Sequence, residues 1–355
     1  MFAKSNNFTG CQFFALMKKT LALFAIMIFA GWTYGQDDPE EALYQKANEK
    51  LQAGNYKSAI LDYSQLINSK FSNKEVFLKR GIANYKTKAY AAAIDDFDAA
   101  EKGKVTSPEV TGYRGISYYE LKEYDKADKD LSKAIGSGFN QPEGFYYLGN
   151  TKFRNEDFSS AIQNYDKAVS AGLNDAGLFN NRGKAKQNGN NLAGAIADYD
   201  RALQIDPNHK KALENRADTH YTFENWQKAT ADFGALVATG KVTAEVFEKK
   251  GISLYKSGQI DAGLSDMESA VKRGSSNPEL KVYIGNAYFD KKNFNKAKLS
   301  YEQAQRSGVT DPQAYINLGK IYFEDKQYGA VDGILSEALS KGNNQAEIYL
   351  NRGLA

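Results

Sequence analysis

The chain has 355 residues, of which 25% are charged and 42% are hydrophobic, a composition typical of a folded rather than a disordered protein. The formal net charge is +3, but residues 1–35 contain three lysines and no acidic residue, so residues 36–355 hold 43 basic and 43 acidic side chains. This balance excludes the basic footprint expected of a nucleic-acid-binding domain.

The N-terminal residues have the pattern of a secretion signal. Lys18 and Lys19 precede an unbroken apolar run over residues 21–30, and Thr33 and Gly35 place small residues before a cleavage site. The apolar run is about half of the ~20 residues that a transmembrane helix needs.

We therefore predict that translation begins at Met17 and that a signal peptide is cleaved before Gln36. Residues 1–16 would then lie upstream of the true start. The expected location of the mature chain, which is predicted to contain no transmembrane segment, is the bacterial periplasm or the periphery of the outer membrane.

From residue 40 onward the sequence repeats every 34 residues. A small residue marks each period, and the set is Ala47, Gly81, Gly115, Gly149, Gly183, Ala217, Gly251, Gly285, Gly319 and Gly353. A second small residue follows twelve positions later in every full period except the last, where Val331 replaces it. A fixed period of 20–50 residues predicts a protein of stacked repeats. The domain over residues 36–355 is expected to hold nine full repeats, starting near residues 40, 74, 108, 142, 176, 210, 244, 278 and 312, and a truncated tenth from residue 346.

Each repeat is predicted to be a pair of helices, called helix A and helix B. In the repeat at residues 142–175, Pro142 and Glu143 suit a helix start, and residues 155–157 suit a turn. Apolar or small residues recur three or four positions apart on both sides of this turn, which places them on one helical face. They are Phe145, Leu148, Gly149 and Phe153 in helix A, and Phe158, Ala161, Tyr165 and Ala168 in helix B.

The glycines inside helix A need a physical reason, because each costs about 0.5–1 kcal/mol relative to alanine. We expect helix B to approach helix A so closely at this level that a side chain would not fit.

These motifs resemble those of the tetratricopeptide repeat family. In repeat four the resemblance rests on Phe145, Leu148, Gly149, Phe158, Ala161, Tyr165 and Ala168, with similar residues in the other repeats. It implies an all-α superhelical solenoid whose A helices line a concave groove that binds protein or peptide. Two features depart from the family pattern: the junction proline occurs in its usual form only at Pro207, and the inner aromatic of helix A is often displaced by one position.

A charge correlation links the two helices of a repeat. Six repeats have a basic residue before the small residue of helix A and an aspartate sixteen positions later: Lys46 and Asp62, Arg80 and Asp96, Arg114 and Asp130, Arg182 and Asp198, Arg216 and Asp232, and Lys250 and Asp266. The other three full repeats pair an apolar residue with a residue that is not acidic: Leu148 with Asn164, Ile284 with Ser300, and Leu318 with Ile334. We predict six structural ion pairs between helix A and helix B. The alternative interpretation is a charged-ligand site.

Residues for catalysis are scarce. His209 and His220 are the only histidines, and Cys11, the only cysteine, precedes the predicted cleavage site. Isolated histidines are poor material for a metal site or for the base of a nucleophile. The chain is therefore predicted to be non-enzymatic, with no catalytic, metal or cofactor site.

Partner binding is assigned to the face of helix A opposite its small residue. The residues predicted to contact a partner are Tyr113, Tyr119, Tyr146, Tyr147, Asn150, Phe153, Arg154, Asn180, Asn181, Lys184, Asn188, Tyr221, Tyr255, Tyr283 and Asn286. Aromatic anchors beside amides suit an extended peptide, which offers both backbone groups and side chains. The alternative for the aromatics is packing between neighbouring repeats.

The family's basic clamp for a chaperone carboxylate requires a lysine at the fifth position of helix A. This chain has Tyr44, Leu78, Gly112, Tyr146, Asn180, Glu214, Glu248, Val282 and Ile316 there, so we predict that it does not use this clamp.

Two functions stay open on the sequence. The first is an exported scaffold that binds a protein or peptide in envelope assembly or export. The second is the repeat arm of a larger envelope protein, truncated at its C-terminus, whose remaining part has an enzymatic or wall-binding domain; the start of a tenth repeat at residue 346 favours such a fragment.

Overall fold

A computed structural model of the protein describes residues 38–343 and 345–354, and these residues form α-helices joined by short turns, without a strand among them. The predicted all-α class of 34-residue helical hairpins is confirmed. The predicted signal peptide, Met17 and the cleavage site before Gln36 lie outside the described residues.

The helices alternate as helix A and helix B of successive repeats. They are α1 (Pro39–Gln52), α2 (Tyr56–Asn68), α3 (Glu75–Lys86), α4 (Tyr90–Lys102), α5 (Pro108–Glu120), α6 (Tyr124–Gly136), α7 (Pro142–Arg154), α8 (Phe158–Ser170), α9 (Ala176–Asn188), α10 (Leu192–Ile205), α11 (Lys210–Thr222), α12 (Trp226–Ala238), α13 (Ala244–Lys256), α14 (Ile260–Lys272), α15 (Glu279–Asp290), α16 (Phe294–Arg306), α17 (Pro312–Glu324), α18 (Tyr328–Ser340) and α19 (Ala346–Leu354).

The described residues divide into two compact units, an N-terminal unit up to Thr151 and a C-terminal unit from Lys152. Each has its own core between successive helices. In the N-terminal unit the core includes Phe97 and Leu131, and in the C-terminal unit Phe233 and Met267, all at most 1% exposed.

Helix starts follow from local chemistry. The Asp311 side chain accepts a hydrogen bond from the backbone N–H of Ala314 at 2.8 Å, and Ser107 accepts one from Glu109 at 3.3 Å. Proline follows each of these two residues at the first helical position, where its missing N–H costs no intrahelical bond.

Helix A and helix B meet closely at the small residues. A Cβ added at Gly251 would lie 2.7 Å from the backbone nitrogen of Met267 and 2.9 Å from the carbonyl oxygen of Gly263. At Gly183 the same atom would lie 2.7 Å from the ring of Tyr199. The missing side chain is therefore required for the contact, as the spacing of the glycines predicts.

Five of the predicted arginine or lysine pairs are present in the structure. The shortest nitrogen–oxygen distances are 2.6 Å for Arg80 and Asp96, 2.6 Å for Arg114 and Asp130, 2.5 Å for Arg182 and Asp198, 2.6 Å for Arg216 and Asp232, and 2.8 Å for Lys250 and Asp266. The side chains of Arg182 and Asp198 are only 15% and 5% exposed, so this pair is largely desolvated.

The predicted pair of Lys46 and Asp62 is wrong. Asp62 lies 2.5 Å from Lys50, one turn later in α1, and Lys46 is exposed. In later repeats the basic side chain is packed between its own helix B and the preceding one, but no described hairpin precedes α1. In the described part of the chain, Lys46 therefore has no preceding helix B to pack against, unlike the basic residues of the later repeats.

The arginines also link consecutive repeats. Arg114 lies 2.7 Å from Asp98, Arg182 lies 2.8 Å from Asp166, and Arg216 lies 2.5 Å from Asp200. Each of these aspartates is sixteen residues before its arginine, on helix B of the preceding repeat. Burial disfavours the charged guanidinium of Arg182, but the carboxylates of Asp198 and Asp166 together raise its pKa.

In two of the three repeats where an apolar residue replaces the arginine, a different contact makes this link. Tyr322, one turn after Leu318, donates to Glu302 of the preceding helix B at 3.0 Å, and Tyr288, one turn after Ile284, donates to Glu268. Burial, followed by the Glu302 carboxylate, raises the pKa of Tyr322 to about 12, so the hydroxyl stays a donor at neutral pH.

A single methyl group tests the close approach. Gly251→Ala is expected to destabilise the protein by about 1–3 kcal/mol, because overpacking against backbone outweighs the gain of about 0.5–1 kcal/mol in helix propensity. The matched control is Gly319→Ala, whose Cβ would meet only the flexible Leu335 side chain at 3.2 Å. We expect this variant to stay within about 0.5 kcal/mol of wild type. Urea denaturation followed by circular dichroism measures both, and equal losses would contradict this account.

A double-mutant cycle tests the ion pairs. Arg182→Leu is expected to cost about 2–3 kcal/mol, below the ~3–5 of a broken buried pair, because Lys186 lies 2.8 Å from Asp198 and partly replaces the arginine. Adding Asp198→Leu should recover much of the loss. As a control, Arg306→Leu removes an exposed pair with Glu302 and should cost less than about 1 kcal/mol. Additive losses from Arg182→Leu and Asp198→Leu in urea denaturation would refute the coupling.

Candidate functional site

The candidate site is the face of helix A formed by positions two, five, six, nine, twelve and thirteen of each repeat, called here the helix-A face. Positions are counted from the predicted repeat starts. Each unit presents its own part of this face.

In the N-terminal unit the helix-A face is rich in tyrosine. The ring centroids of Tyr85 and Tyr113 are 5.1 Å apart, those of Tyr119 and Tyr147 are 5.0 Å apart, and those of Tyr146 and Tyr147 are 5.4 Å apart. All five rings are half-buried. We call these five residues the tyrosine face; its rings pack against one another and remain partly exposed to solvent.

Carboxylates surround these rings. The Tyr147 hydroxyl donates to Glu120, and burial together with this carboxylate raises the pKa of Tyr147. Burial, and then Glu109 and Glu143, raise the pKa of Tyr113 to about 12. The phenols are therefore neutral donors near pH 7.

The side chains of two predicted contact residues are buried and offer little surface to a partner. Asn150 is 6% exposed and Asn180 is 5% exposed. Asn180 donates to Asn181 at 3.1 Å and accepts from Asn215 of the next helix A at 2.9 Å. Its amide groups thus link repeats five and six, because position five faces the neighbouring helix A in this part of the chain.

The remaining residues of repeats four and five lie nearer the surface. Asn181 and Lys184 are half-buried, and Lys184 lies 3.2 Å from the amide oxygen of Gln187. Arg154 and Asn188 are exposed. The amide-rich character predicted for repeat five is thus present at the surface in Asn181 and Asn188.

The aromatic at position twelve packs against its own repeat. Tyr119 lies 5.2 Å from Tyr124, Phe153 lies 5.6 Å from Phe158, and Tyr221 lies 5.5 Å from Trp226, measured between ring centroids. The partner is in each case the first residue of helix B, five positions later. That spacing is visible in the sequence, although the contact between these two positions was not predicted from it.

The C-terminal unit contains a cleft of about 680 Å³ beside repeats eight and nine, called here the terminal cleft. It is lined by Lys256, Pro278, Glu279, Val282, Tyr283, Asn286 and residues 307–313. Tyr283 and Asn286 are predicted contact residues. The loop before α17 also lines the cleft, and this was not predicted from the sequence, which indicates only a turn between repeats there.

The terminal cleft combines an apolar seat with charged and amide groups. The Lys256 ammonium lies 5.5 Å from the Tyr283 ring centroid, and the Tyr283 ring packs against Tyr255 at 6.4 Å. The Tyr255 hydroxyl donates to Asp290 at 2.9 Å, which holds that ring in place. The side-chain oxygen of Asn286 accepts hydrogen bonds from Tyr301 of the same repeat and Asn317 of the next repeat at 2.7 and 3.3 Å, and these two donors set the orientation of its amide.

Neither histidine forms part of a reactive group. His209 caps α11 by accepting from the backbone of Ala212 at 3.1 Å. His220 is 4% exposed, and burial lowers its pKa, so it is neutral near pH 7. Among residues 38–343 and 345–354, no group of three His, Cys, Asp or Glu side chains is placed to hold a metal ion. None of the helices in this part of the chain is both long and apolar enough to span a bilayer.

Solved structures of repeat proteins are similar to this chain. A tetratricopeptide repeat protein from Parabacteroides merdae is 14% identical, with a TM-score of 0.43 over 70% of this chain and 98% of its own. The C-terminal part of a repeat-containing protein from Cytophaga hutchinsonii is 16% identical, with a TM-score of 0.44 over 78% and 99%. YrrB, a repeat protein described as having an unusual peptide-binding site, is 19% identical, with a TM-score of 0.42 over 50% and 93%. A comparison with curated protein sequences finds no match.

The sequence model of the tetratricopeptide repeat matches residues 44–108, 146–210, 180–242 and 248–307. These segments cover more than half of the 355 residues. With the helical hairpins and the small-residue contacts described above, this match shows that the chain belongs to the tetratricopeptide repeat family.

Proposed function

We propose that the protein is an exported, non-enzymatic scaffold that binds an extended segment of a partner protein on its helix-A faces, in envelope assembly or export. The observation on which this rests is the terminal cleft, where a half-buried tyrosine, an oriented amide and charges of both signs line about 680 Å³ of open space. An extended peptide needs such a mixture, because its backbone seeks hydrogen bonds while its side chains seek apolar seats.

The export part of the proposal rests on the sequence of residues 17–35, with its two lysines, its apolar run and its small residues before Gln36. A second candidate function is that of the repeat arm of a larger envelope protein. Both candidates place partner binding on the helix-A faces.

Export is tested by expressing the chain from Met17 in a Gram-negative host. We expect the periplasmic fraction to contain protein whose N-terminal sequence starts at Gln36. As a control, replacing Leu23 by arginine interrupts the apolar run and should leave uncleaved protein in the cytoplasm, because a signal peptide needs an apolar segment of 7–15 residues. A mature N-terminus upstream of Gln36 would contradict the cleavage site.

Peptide binding is tested by selecting ligands from a displayed library of random twelve-residue peptides and measuring their affinity by isothermal titration calorimetry. We expect Tyr283→Ala to weaken peptides that occupy the terminal cleft by about tenfold or more, as truncation of an aromatic anchor does at a binding hot spot. The matched control is Leu299→Ala, an exposed apolar truncation on α16 outside the cleft, which should change the affinity less than about twofold. The proposal would be refuted if the library yields no binder. It would also be refuted if the affinity of every binder is unchanged by substitutions on the helix-A face of either unit.

A further inference from the structure

Acidic side chains lie beside the tyrosine face. Glu109 and Glu120 stand at positions two and thirteen of repeat three, Glu143 stands at position two of repeat four, and all three are half-buried. The other helix-A-face residues of repeats three and four in the N-terminal unit are Gly112, Tyr113, Ile116, Tyr119, Tyr146, Tyr147 and Asn150. Repeats three and four thus contribute three acidic side chains to the N-terminal unit's part of the face, and repeat two, which contains Tyr85, adds Glu75, Lys79 and Lys86. Arg154, at position thirteen of repeat four, belongs to the C-terminal unit.

The carboxylates of Glu120 and Glu143 and the tyrosine rings can interact with the same bound cation. Glu120 accepts the Tyr147 hydroxyl, so the carboxylate is held beside the ring of the next helix A. Burial and then the Glu143 carboxylate raise the pKa of Tyr85, and burial followed by Glu109 and Glu143 raises that of Tyr113. A cation over these rings would meet the negative π face and an anionic oxygen together.

The chain itself shows that an ammonium group fits against such a ring. The Lys86 nitrogen lies 5.4 Å from the centroid of Tyr85, within the ~6 Å at which a cation is attracted by an aromatic face. Lys86 is exposed, on the last turn of α3, so an incoming side chain can take its place at the ring.

We infer that the tyrosine face binds a basic peptide segment, whose lysine or arginine side chains lie on the tyrosine rings and pair with Glu120 and Glu143. This inference rests on the proposed function and gives the chemistry of one of its partners. The terminal cleft differs, because Lys256 lies beside Glu279 and Asp311 on its walls. A basic segment should therefore prefer the tyrosine face.

The test uses the full mature chain and three fluorescein-labelled twelve-residue peptides that alternate alanine with lysine, glutamine or glutamate. Fluorescence anisotropy at 50 mM salt should give an affinity for the lysine peptide about tenfold above that for the glutamine peptide, and weaker binding still for the glutamate peptide. Raising the salt to 300 mM should remove most of this preference, because exposed charges are then screened.

Two pairs of variants locate the site. Glu120→Gln combined with Glu143→Gln should weaken the lysine peptide about fivefold and leave the glutamine peptide unchanged. Tyr147→Phe keeps the ring and should stay within about twofold of wild type, whereas Tyr147→Leu should lose about fivefold. The matched control is Lys256→Gln combined with Glu279→Gln in the terminal cleft, which should leave lysine-peptide binding unchanged. Circular dichroism of each variant establishes that it is folded, and the glutamate-to-glutamine pair keeps side-chain size.

The two proposals fail in different ways. Equal affinity for lysine and glutamine peptides, or loss only in the terminal-cleft variant, would overturn the basic-segment inference and leave the scaffold proposal standing. If neither these peptides nor any library peptide binds the wild-type chain, the scaffold proposal fails with it.

Discussion

The contact between helix A and helix B at the level of the small residues is the constraint on which the rest of the structure depends. At Gly251 even one added carbon would lie 2.7 Å from the backbone of α14. The two helices therefore pack with few side-chain atoms between them. The residues on the opposite side of helix A, which form the helix-A face, are not needed for this contact. The close packing of helix A on helix B thus offsets the cost of glycine inside a helix, about 0.5–1 kcal/mol, and the repeated glycine gives successive hairpins a similar geometry.

Constant hairpin geometry explains why a single arginine can link three helices. Arg114 lies 2.6 Å from Asp130 on its own helix B and 2.7 Å from Asp98 on the preceding one, sixteen residues away in each direction. Because each repeat contacts only its neighbours, this double pairing couples hairpin formation to stacking. The tyrosines that follow Ile284 and Leu318 make the same link with a neutral donor, so the stack continues through these two repeats.

Much of this arrangement follows from the sequence, because a fixed period turns one repeat into a template for the others. The glycine spacing predicts the close approach, and the correlation of arginine with aspartate sixteen residues later predicts the pairs at Arg80, Arg114, Arg182 and Arg216. Pairing with the preceding repeat was not predicted, although Asp98, Asp166 and Asp200 occupy equivalent positions in the sequence. A correlation within a repeat does not show which residues face each other across repeats, and the error at Lys46 has the same origin, since that side chain lacks a preceding hairpin in the described part of the chain.

The helix-A face is less predictable for a related reason. Asn150 and Asn180 occupy positions that the repeat pattern places on the surface, but both are buried, and Asn180 accepts a hydrogen bond from Asn215 of the next helix A. Position twelve is aromatic in most repeats because it packs on the first residue of helix B. Its recurrence therefore reflects packing and does not by itself indicate a partner.

What remains for recognition is the set of positions that neither the small-residue contact nor the arginine links use. These positions differ most between repeats: tyrosines with carboxylates in repeats three and four, amides in repeat five, and a mixed cleft beside repeats eight and nine. A binding scaffold needs this division, because its framework must stay constant while its contact residues vary. Glu120, which accepts the Tyr147 hydroxyl, and Glu143, in the first turn of α7, belong to this variable set, so their carboxylates serve the stack and also set the chemistry of the surface.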